Sequence, residues 1–362
     1  MATDDRTVHR ELGFYTLAGG ARDPRALVDE CIAAERLGFG SVFISERFDV
    51  KEAMVLAGAV AVASSRLQII TAATNHTTRH PMVTAASATT LHRLTGGRFV
   101  LGLGRGIAPL FDAIGLPPIT TAGMEEFAGV VRRLWRGETI VGHDGAIGRY
   151  PMLRLDPTFD EQIPLGIVAF GPRTLDLGGR VFDHVILHTF FTDETLQRSV
   201  DTVKRAAASV GRDPATVTVW SCCATVPDHL PEPVVLMKTV GRLATYLQAY
   251  GDLLVATNRW DPQVLDRFRA DPLVRSMRGA IDVAATTSEL EHIAELLPSE
   301  WLAPAATGSA EQCAGEVRRQ RALGADAVIM HGSTPTELAP VVEAYDRLVS
   351  DMQRPGETTD QR

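Results

Sequence analysis

The sequence predicts an α/β protein with the architecture of a (β/α)8 TIM barrel that carries insertions. Short apolar runs alternate with helical stretches along nearly the whole chain, and eight such runs read as strands. Most of these runs are apolar at almost every position, as in parallel strands that are buried on both faces. Eight strand–helix units favour a closed barrel over a doubly wound open sheet.

The first half of the chain supplies four of these units. Asp23 is suited to cap the first helix and Pro24 to open it, and Gly38 ends it. Pro81 opens the third helix, which ends at Gly96. The predicted strands are 12–17, 41–45, 67–71 and 99–103, and the second helix covers about 52–63.

The second half repeats the alternation but is interrupted twice. A hairpin insertion is expected at about 138–162 and a mainly helical insertion at about 227–305. We therefore expect one domain over 11–350, with flexible tails at 1–10 and 353–362. The predicted strands here are 165–169, 185–188, 216–224 and 327–330, with helices that begin at Pro172 and near Asp193 and a last helix that ends near Val349.

Charge and composition exclude several classes of partner. The 36 Lys and Arg residues against 44 Asp and Glu give a net charge of −8, and basic residues form no cluster. Nucleic acids and anionic membranes reward clustered positive charge, so neither is expected as a partner. Without an apolar stretch of about 20 residues or a signal-like start, the chain is expected to be cytoplasmic.

The sequence offers little support for a nucleophilic cysteine or serine or for a metal site. The four cysteines are scattered and form no CxxC pair, and the nucleophile motif GxSxG is absent. Four histidines, His76, His80, His188 and His331, follow predicted strands, but their neighbours are Thr and Arg instead of a matched carboxylate set. No metal is therefore expected, and a metal-dependent hydrolase stays a minor alternative.

Active sites of such barrels lie at the carboxyl ends of the strands, where two glycine motifs stand out. GLGRG at 102–106 permits close approach of a ligand, although it lacks the GxGxxG spacing of dinucleotide sites. In AFGPRTLDLGGR at 169–180, Gly171 ends a strand, Pro172 opens a helix, and the paired glycines allow close packing. A helix N-terminus with Arg173 beside it suits a phosphate. The alternative is a plain strand-to-helix turn.

Together these motifs resemble the luciferase-like monooxygenase superfamily and, within it, the branch that uses the deazaflavin coenzyme F420. The resemblance covers nearly the whole chain. Its motifs are FISERFD at 43–49, TNHTTRHP and GLGRG within 71–106, AFGPRTLDLGGRVFDHVILH at 169–188, and TGSAEQCAGEVRRQRALGADAVIMHG at 307–332.

The resemblance implies a metal-free barrel that holds a tricyclic ring at its rim for hydride transfer. It implies a non-proline cis peptide at Ala72–Ala73 behind the ring, and places Glu46 at the hydroxylated edge of a deazaflavin. The alternative for Glu46 is an ion pair with Arg47 or Arg79. The remaining implied cofactor contacts are Thr74 and Asn75 at the pyrimidine edge, Gly104, Arg105 and Gly106 along the ring and tail, and the amides of Gly171, Pro172, Gly178 and Gly179 at the phosphate.

This chain departs from the sugar-phosphate dehydrogenases of that branch. They carry His where Arg47 stands and Glu where Ile107 stands, so activity on glucose 6-phosphate is doubtful. We predict that His76 or His188 moves the proton instead, since imidazole does so near neutral pH, with Glu46 as a further candidate. The predicted substrate-binding residues are Tyr15, Arg47 and Phe190, with Phe14 and Phe191 nearby; the aromatic ones are equally compatible with ordinary core.

The sequence thus predicts an F420-dependent oxidoreductase that moves hydride between C5 of the deazaflavin and a small, rather apolar substrate. With FMN instead, the same rim could act as a monooxygenase on reduced flavin and oxygen. A third alternative is a barrel that binds a ligand without turnover. A homodimer is expected, as is a flavin or F420 reductase that supplies reduced cofactor.

Overall fold

The structure of the protein is a computed structural model that describes residues 7–18, 23–47 and 50–353. Its strands are β1 (His9–Tyr15), β2 (Phe39–Ile44), β3 (Gln68–Thr71), β4 (Phe99–Leu103), β5 (Ile140–Gly145), β6 (Gly148–Leu153), β7 (Leu165–Val168), β8 (His184–Ile186), β9 (Thr218–Pro227), β10 (Ala306–Gly308) and β11 (Ala327–His331). Its helices are α1 (Ala26–Leu37), α2 (Ala53–Ala63), α3 (Pro81–Leu94), α4 (Ala108–Ala113), α5 (Thr121–Trp135), α6 (Pro172–Val181), α7 (Asp193–Ser209), α8 (Glu232–Leu236), α9 (Arg242–Asn258), α10 (Pro262–Ala270), α11 (Pro272–Ser276), α12 (Ile281–Ala284), α13 (Thr287–Leu296), α14 (Ser299–Leu302), α15 (Ala310–Ala322) and α16 (Pro335–Gln353).

Eight parallel strands close into a barrel in the order β1, β2, β3, β4, β7, β8, β9 and β11. Strand β1 pairs on one side with β2 and on the other with β11, which closes the ring. The predicted (β/α)8 fold is confirmed, and each of the eight predicted strands overlaps an observed one. The carboxyl ends of these strands therefore meet at one mouth, where function is expected.

Both faces of the barrel wall are buried, as the uniformly apolar strands predict. Inside the barrel, Phe43, Ile70 and Trp220 pack with residues of the neighbouring strands. Outside it, a larger cluster joins the strands to the surrounding helices. Gly178 and Gly179 bring α6 close to β8 and α7. The mouth is thus built on a rigid scaffold.

Three details differ from the sequence prediction. Helix α1 begins at Ala26, because Asp23 caps a preceding turn through Arg25 N at 3.0 Å and not the helix itself. The expected tail at 1–10 is too long: His9 is buried within β1 and pairs with Asp346. Strand β10, a short parallel partner of β9, was not predicted. Residues 1–6 and 354–362 of the expected tails lie outside the described residues.

The two interrupting segments have different structures. An antiparallel hairpin, β5 with β6, occupies the first. Helices α8 to α14 fill most of the second, which also contains a π-helical turn over Met237–Gly241 just before α9. Helix α9 is kinked at Tyr250, whose backbone is non-helical. Both irregularities lie where α9 faces the barrel mouth.

Candidate active site

Residues from five different strand ends meet at the barrel mouth. Tyr15 ends β1, Glu46 follows β2, Ala73 follows β3, His188 follows β8, and His331 ends β11. Most of the predicted catalytic and cofactor-binding residues therefore lie at the same end of the barrel. The mouth divides into a side built around β3 and a side built around β8, β9 and β11.

The segment after β3 forms a bulge of small residues. The predicted cis peptide at Ala72–Ala73 is present. Thr74 N donates to Gly102 O at 3.0 Å, and Gly104 N donates to Thr74 O at 2.8 Å. A Cβ on Gly104 would lie 2.8 Å from Ala73 Cβ, so this approach requires glycine. The result is a shelf of small side chains at the edge of the mouth, which we call the β3 shelf.

Glu46 lies at the centre of a hydrogen-bond network behind the β3 shelf. Its side chain is only 2% exposed and is paired with Arg79. Thr74 Oγ1 donates to Glu46 Oε2 at 2.9 Å, and Asn75 Nδ2 donates to the same oxygen at 3.1 Å. The structure thus shows the alternative considered for Glu46, an ion pair with Arg79. Whether Glu46 also contacts a cofactor stays a prediction.

The side chain of Asn75 holds the following loop. Its Oδ1 accepts hydrogen bonds from the backbone and hydroxyl of Thr77 and of Thr78, at 2.9 to 3.1 Å. These contacts and the one to Glu46 leave little capacity for the predicted pyrimidine contact of its side chain. Asn75 therefore shapes the loop, and a contact of its second Nδ2 hydrogen with a cofactor stays a prediction.

His188 is enclosed by aromatic side chains. The ring centroids of Phe170 and Tyr246 lie 4.6 and 4.7 Å from that of His188. His188 Nδ1 lies 3.0 Å from Thr189 O, which can only accept, so Nδ1 carries the hydrogen. Its Nε2 is then the acceptor for the Tyr250 hydroxyl at 2.9 Å. Burial lowers the pKa of His188 to about 4. His188 is therefore neutral near pH 7, and its role in proton transfer stays a prediction.

The lowered pKa of His188 makes stability depend on pH. At pH values between the ordinary histidine pKa and about 4, His188 is protonated in the unfolded chain but not in the folded chain. Lowering the pH through this range therefore favours unfolding. From about pH 7 to about pH 5, we expect the wild type to lose about 2 kcal/mol more unfolding free energy than His188→Gln. Urea denaturation at both pH values measures this difference. His229→Gln, which alters an exposed histidine, should lose as much as the wild type. Equal losses for His188→Gln would contradict the assignment.

His76, the other predicted proton donor, has a different setting. It stacks on Phe127 with ring centroids 5.5 Å apart, and its buried Nδ1 makes no hydrogen bond within the described part of the chain. Burial lowers the pKa of His76 as well. It lines a pocket of about 360 Å³ with Thr120 and Tyr150 of the hairpin side. His76 therefore lies outside the cluster of aromatic side chains that encloses His188.

The predicted substrate residues separate into two groups. Tyr15 faces the mouth, with its ring 5.1 Å from that of His331, and burial raises its pKa well above the usual value. Phe190 is only 1% exposed and belongs to the core, the alternative considered for it. Phe170, which packs directly on His188, replaces it as the aromatic wall. Arg47 is half-buried beside the mouth.

Helix α9 contributes three site residues that the sequence analysis missed. Arg242 is buried, and Tyr246 and Tyr250 line the His188 side of the mouth. Their spacing of four residues places all three on one helix face. This spacing was the available signal, because an Arg and two Tyr recur at every fourth position of the helix.

The N-terminus of α6 offers a site for an anion. No side chain caps it at Gly171, and the Thr174 amide donates to Gly171 O at 3.0 Å, which leaves the Arg173 amide in the first turn for a ligand. The predicted contact of a Pro172 amide with phosphate is wrong, because proline has no N–H. The pKa of Arg105 is lowered by burial and by the charge of Arg173, which lies nearby. Thr121, Arg173 and Arg180 border an adjoining pocket of about 390 Å³. Arg105 and Arg173 lie close enough to repel each other, and a phosphate bound between them would neutralise that repulsion.

Gly178 and Gly179 do not take part in this anion site. They lie near the other end of α6, where a Cβ on Gly178 would come 2.8 Å from Val185 and one on Gly179 would come 2.2 Å from Val203 O. The prediction that their amides face the phosphate is wrong, because those amides lie inside the helix. They are packing positions between α6 and its neighbours.

The packing role of Gly179 predicts a loss of stability on substitution. Gly179→Ala is expected to lower the unfolding free energy by about 2 kcal/mol, because overpacking outweighs the gain in helix propensity. Gly171→Ala is the matched control, since a Cβ there meets no atom within 4 Å. Urea denaturation of both variants measures the difference. A stable Gly179→Ala protein with weakened cofactor binding would support the amide role instead.

No group of three metal-ligating side chains occurs among residues 7–18, 23–47 and 50–353. Within the same residues, no helix has the length and apolar composition needed to cross a bilayer.

Comparison with known families agrees with this architecture. The family model described as luciferase-like monooxygenase matches residues 11–327. The chain belongs to the luciferase-like monooxygenase family. The resemblance predicted from the rim motifs is thereby confirmed.

Two curated relatives of this luciferase-like chain are reductases. A 5,10-methylenetetrahydromethanopterin reductase of Methanolobus tindarius is 29% identical over 51% of this chain and 56% of its own length. A phthiodiolone/phenolphthiodiolone dimycocerosates ketoreductase of Mycobacterium bovis is 32% identical over 53% of this chain and 52% of its own length. The chain thus spans about half the length of these relatives.

Solved structures of the luciferase-like fold align over nearly the entire chain. The coenzyme F420 dependent tetrahydromethanopterin reductase of Methanopyrus kandleri has a TM-score of 0.77 at 17% identity, covering 95% of this chain and 99% of that one. A long-chain alkane monooxygenase has a TM-score of 0.66 at 14% identity, covering 98% and 94%. At such identities the likeness concerns the fold alone.

Proposed function

We propose that the protein is an F420-dependent oxidoreductase that transfers hydride between C5 of the deazaflavin and a small, partly apolar organic substrate. The observation that carries the proposal is the placement of the β3 shelf and the anion site at α6 along one rim. A flat ring with a phosphate tail needs both features. The reductases among the curated relatives and the F420-dependent structural neighbours support the choice of cofactor.

The residues at the rim fit such a cofactor. Ala73 and Gly104 present only a methyl group and a hydrogen, so a planar ring can approach the backbone. Arg105 and Arg173 would bind the phosphate together with the amide of Arg173, and the Glu46–Arg79 pair would lie at the hydroxylated edge. Bound there, the deazaflavin would supply the hydride chemistry at C5.

We propose His188 and Tyr250 as the proton-transfer pair. The neutral Nε2 of His188 accepts the Tyr250 hydrogen, and burial raises the pKa of Tyr250 well above its usual value. For Tyr250 to give its proton to a substrate oxygen, Nε2 of His188 must first carry a proton, which it returns to the phenol oxygen as the Tyr250 hydrogen leaves. In the opposite direction, Nε2 can receive a proton from an alcohol.

The second candidate is a monooxygenase that uses reduced FMN and oxygen. The family description and the alkane monooxygenase among the structural neighbours favour it. A separate flavin reductase would then supply reduced FMN, as an F420 reductase would under the first proposal. The cofactor that the protein binds decides between the two reaction classes.

We also propose that two copies associate through α2 and α3. Val55 and Val62 on α2 are 71% and 81% exposed, and Val83 and Leu94 on α3 are 52% and 56% exposed. An apolar face of this kind on two neighbouring helices suits a homodimer. Light scattering should give twice the chain mass, and Val62→Asp should shift it toward the monomer.

Turnover tests the proposed function. Under nitrogen, reduced F420 and the protein are mixed with ketones, aldehydes and enones, and the absorption of oxidised F420 is followed. We expect it to appear only when protein and a suitable substrate are both present. Oxygen-dependent product from reduced FMN would support the second candidate. Tight cofactor binding without turnover across the panel would favour a non-catalytic binder.

A further inference from the structure

Asn258, the last residue of α9, ties this helix to the loop that follows β8. Its side chain is buried, and both ends of the amide are used. Nδ2 donates to Phe190 O at 2.8 Å, and Oδ1 accepts a hydrogen bond from Thr192 N at 3.2 Å. A buried amide satisfied at both ends fixes the position of the loop relative to the helix.

The loop that Asn258 holds begins at His188 and contains an unusual backbone conformation. Phe190 has a φ of 62°, in the left-handed region that residues other than glycine rarely adopt, so it needs support from its surroundings. Thr189, one residue earlier, supplies the carbonyl oxygen that lies 3.0 Å from His188 Nδ1. The bond from Asn258 to Phe190 O therefore acts one residue away from the group that sets the His188 tautomer.

Helix α9 contacts the same loop a second time through Tyr250, whose hydroxyl lies 2.9 Å from His188 Nε2. The helix is kinked at this residue, which has a φ of −155° and a ψ of 37°. Because regular helical geometry is interrupted there, the part of α9 after the kink needs an anchor of its own. Asn258 supplies it, with Thr257 O, which accepts a hydrogen bond from Arg198 at 2.6 Å.

We infer that Asn258 is the positioning residue for the His188–Tyr250 pair. The inference rests on the proposed function, in which this pair moves the proton. A neutral imidazole has two tautomers, and the hydrogen bonds at its two nitrogens select one of them. By holding the loop against α9, Asn258 keeps Thr189 O at Nδ1 and the Tyr250 hydroxyl at Nε2. Nε2 is thereby kept as the acceptor toward the phenol.

Nuclear magnetic resonance of the full chain, with histidine labelled by a heavy nitrogen isotope, reads this tautomer with and without F420. His188 is assigned from the signals that His188→Gln lacks. The wild type should hold the Nδ1–H tautomer in at least about tenfold excess, because one hydrogen bond favours it. Asn258→Leu removes both amide bonds at similar volume, and Asn258→Ala is made beside it in case the first variant fails to fold. In both, the excess should fall to about threefold or less.

Gln320→Met is the matched control. Gln320 is another buried amide that is bonded at both ends: Ser221 Oγ donates to its Oε1 at 2.7 Å, and its Nε2 donates to Glu316 Oε1 at 2.9 Å. It joins α15 to β9, away from the loop after β8. Its replacement should lower stability as the Asn258 variants do, yet leave the His188 tautomer ratio at the wild-type value.

Turnover gives a second readout. In the assay with reduced F420, both Asn258 variants should lose about tenfold in kcat, part of what a positioned acid–base pair contributes, with F420 affinity unchanged. A wild-type tautomer ratio or a wild-type kcat in both variants, or an equal fall of the ratio in Gln320→Met, would overturn the inference. F420 binding is measured separately by fluorescence. Loss of that binding in the wild type overturns the proposed function, whereas intact binding with a tautomer indifferent to Asn258 overturns only this inference.

Discussion

Replacing Glu46 by glutamine is expected to lower the unfolding free energy by about 2–3 kcal/mol and to weaken cofactor binding at least tenfold. The variant removes the buried partner of Arg79 and the carboxylate that Thr74 and Asn75 share. Arg79 keeps its second carboxylate, Glu52, which limits the loss. Because the same network supports the β3 shelf, its disruption should reach the ring site.

Glu52→Gln is the control for this experiment. It alters the same arginine, but Glu52 is 39% exposed, so we expect a loss of about 1 kcal/mol or less and nearly unchanged cofactor affinity. Urea denaturation gives stability, and fluorescence titration gives affinity. If both variants lost the same stability and affinity, Glu46 would have no special role.

The second large effect concerns the anion site. Arg105→Gln and Arg173→Gln are each expected to weaken F420 binding about 10- to 30-fold, because a charged hydrogen bond to phosphate contributes about 1.5–2 kcal/mol. Arg105 is oriented by Ile119 O at 3.1 Å and by Thr121, and Arg173 lies in the first turn of α6. The affinities come from quenching of cofactor fluorescence.

Two controls separate phosphate binding from a general loss of structure. Arg180→Gln changes the same helix, but its guanidinium is already paired with Glu125 and Asp176, so affinity should be unchanged. A deazaflavin riboside without phosphate should bind all variants equally. If Arg173→Gln weakened binding of that riboside as strongly as it weakens F420, the phosphate assignment would be wrong.

The barrel and much of the rim could be predicted from the sequence because their signals are local. Strands buried on both faces are apolar at every position, and glycine and proline mark their ends. The position of the cis peptide and the role of the β3 shelf came from family motifs. His188 was identified, but its neutral state depends on Phe170, Tyr246 and Tyr250, which are distant in sequence.

Other features depend on tertiary packing that local patterns do not contain. Gly178 and Gly179 are compatible with both close packing and amide presentation until the course of α6 is known. Strand β10 has three residues and, among the described strands, pairs with β9 alone. Arg242 became visible as a site residue once the helical insertion was seen to close over the mouth, although its spacing with Tyr246 and Tyr250 was available in the sequence.

The central claim is that this rim holds a deazaflavin. Titration of the purified protein with F420 and, separately, with FMN tests it most directly, with cofactor fluorescence as the readout. We predict saturable binding of F420 in the micromolar range and no binding of FMN at the same concentrations. Saturable binding of FMN without binding of F420 would contradict the claim and move the protein to the flavin-dependent branch of its family.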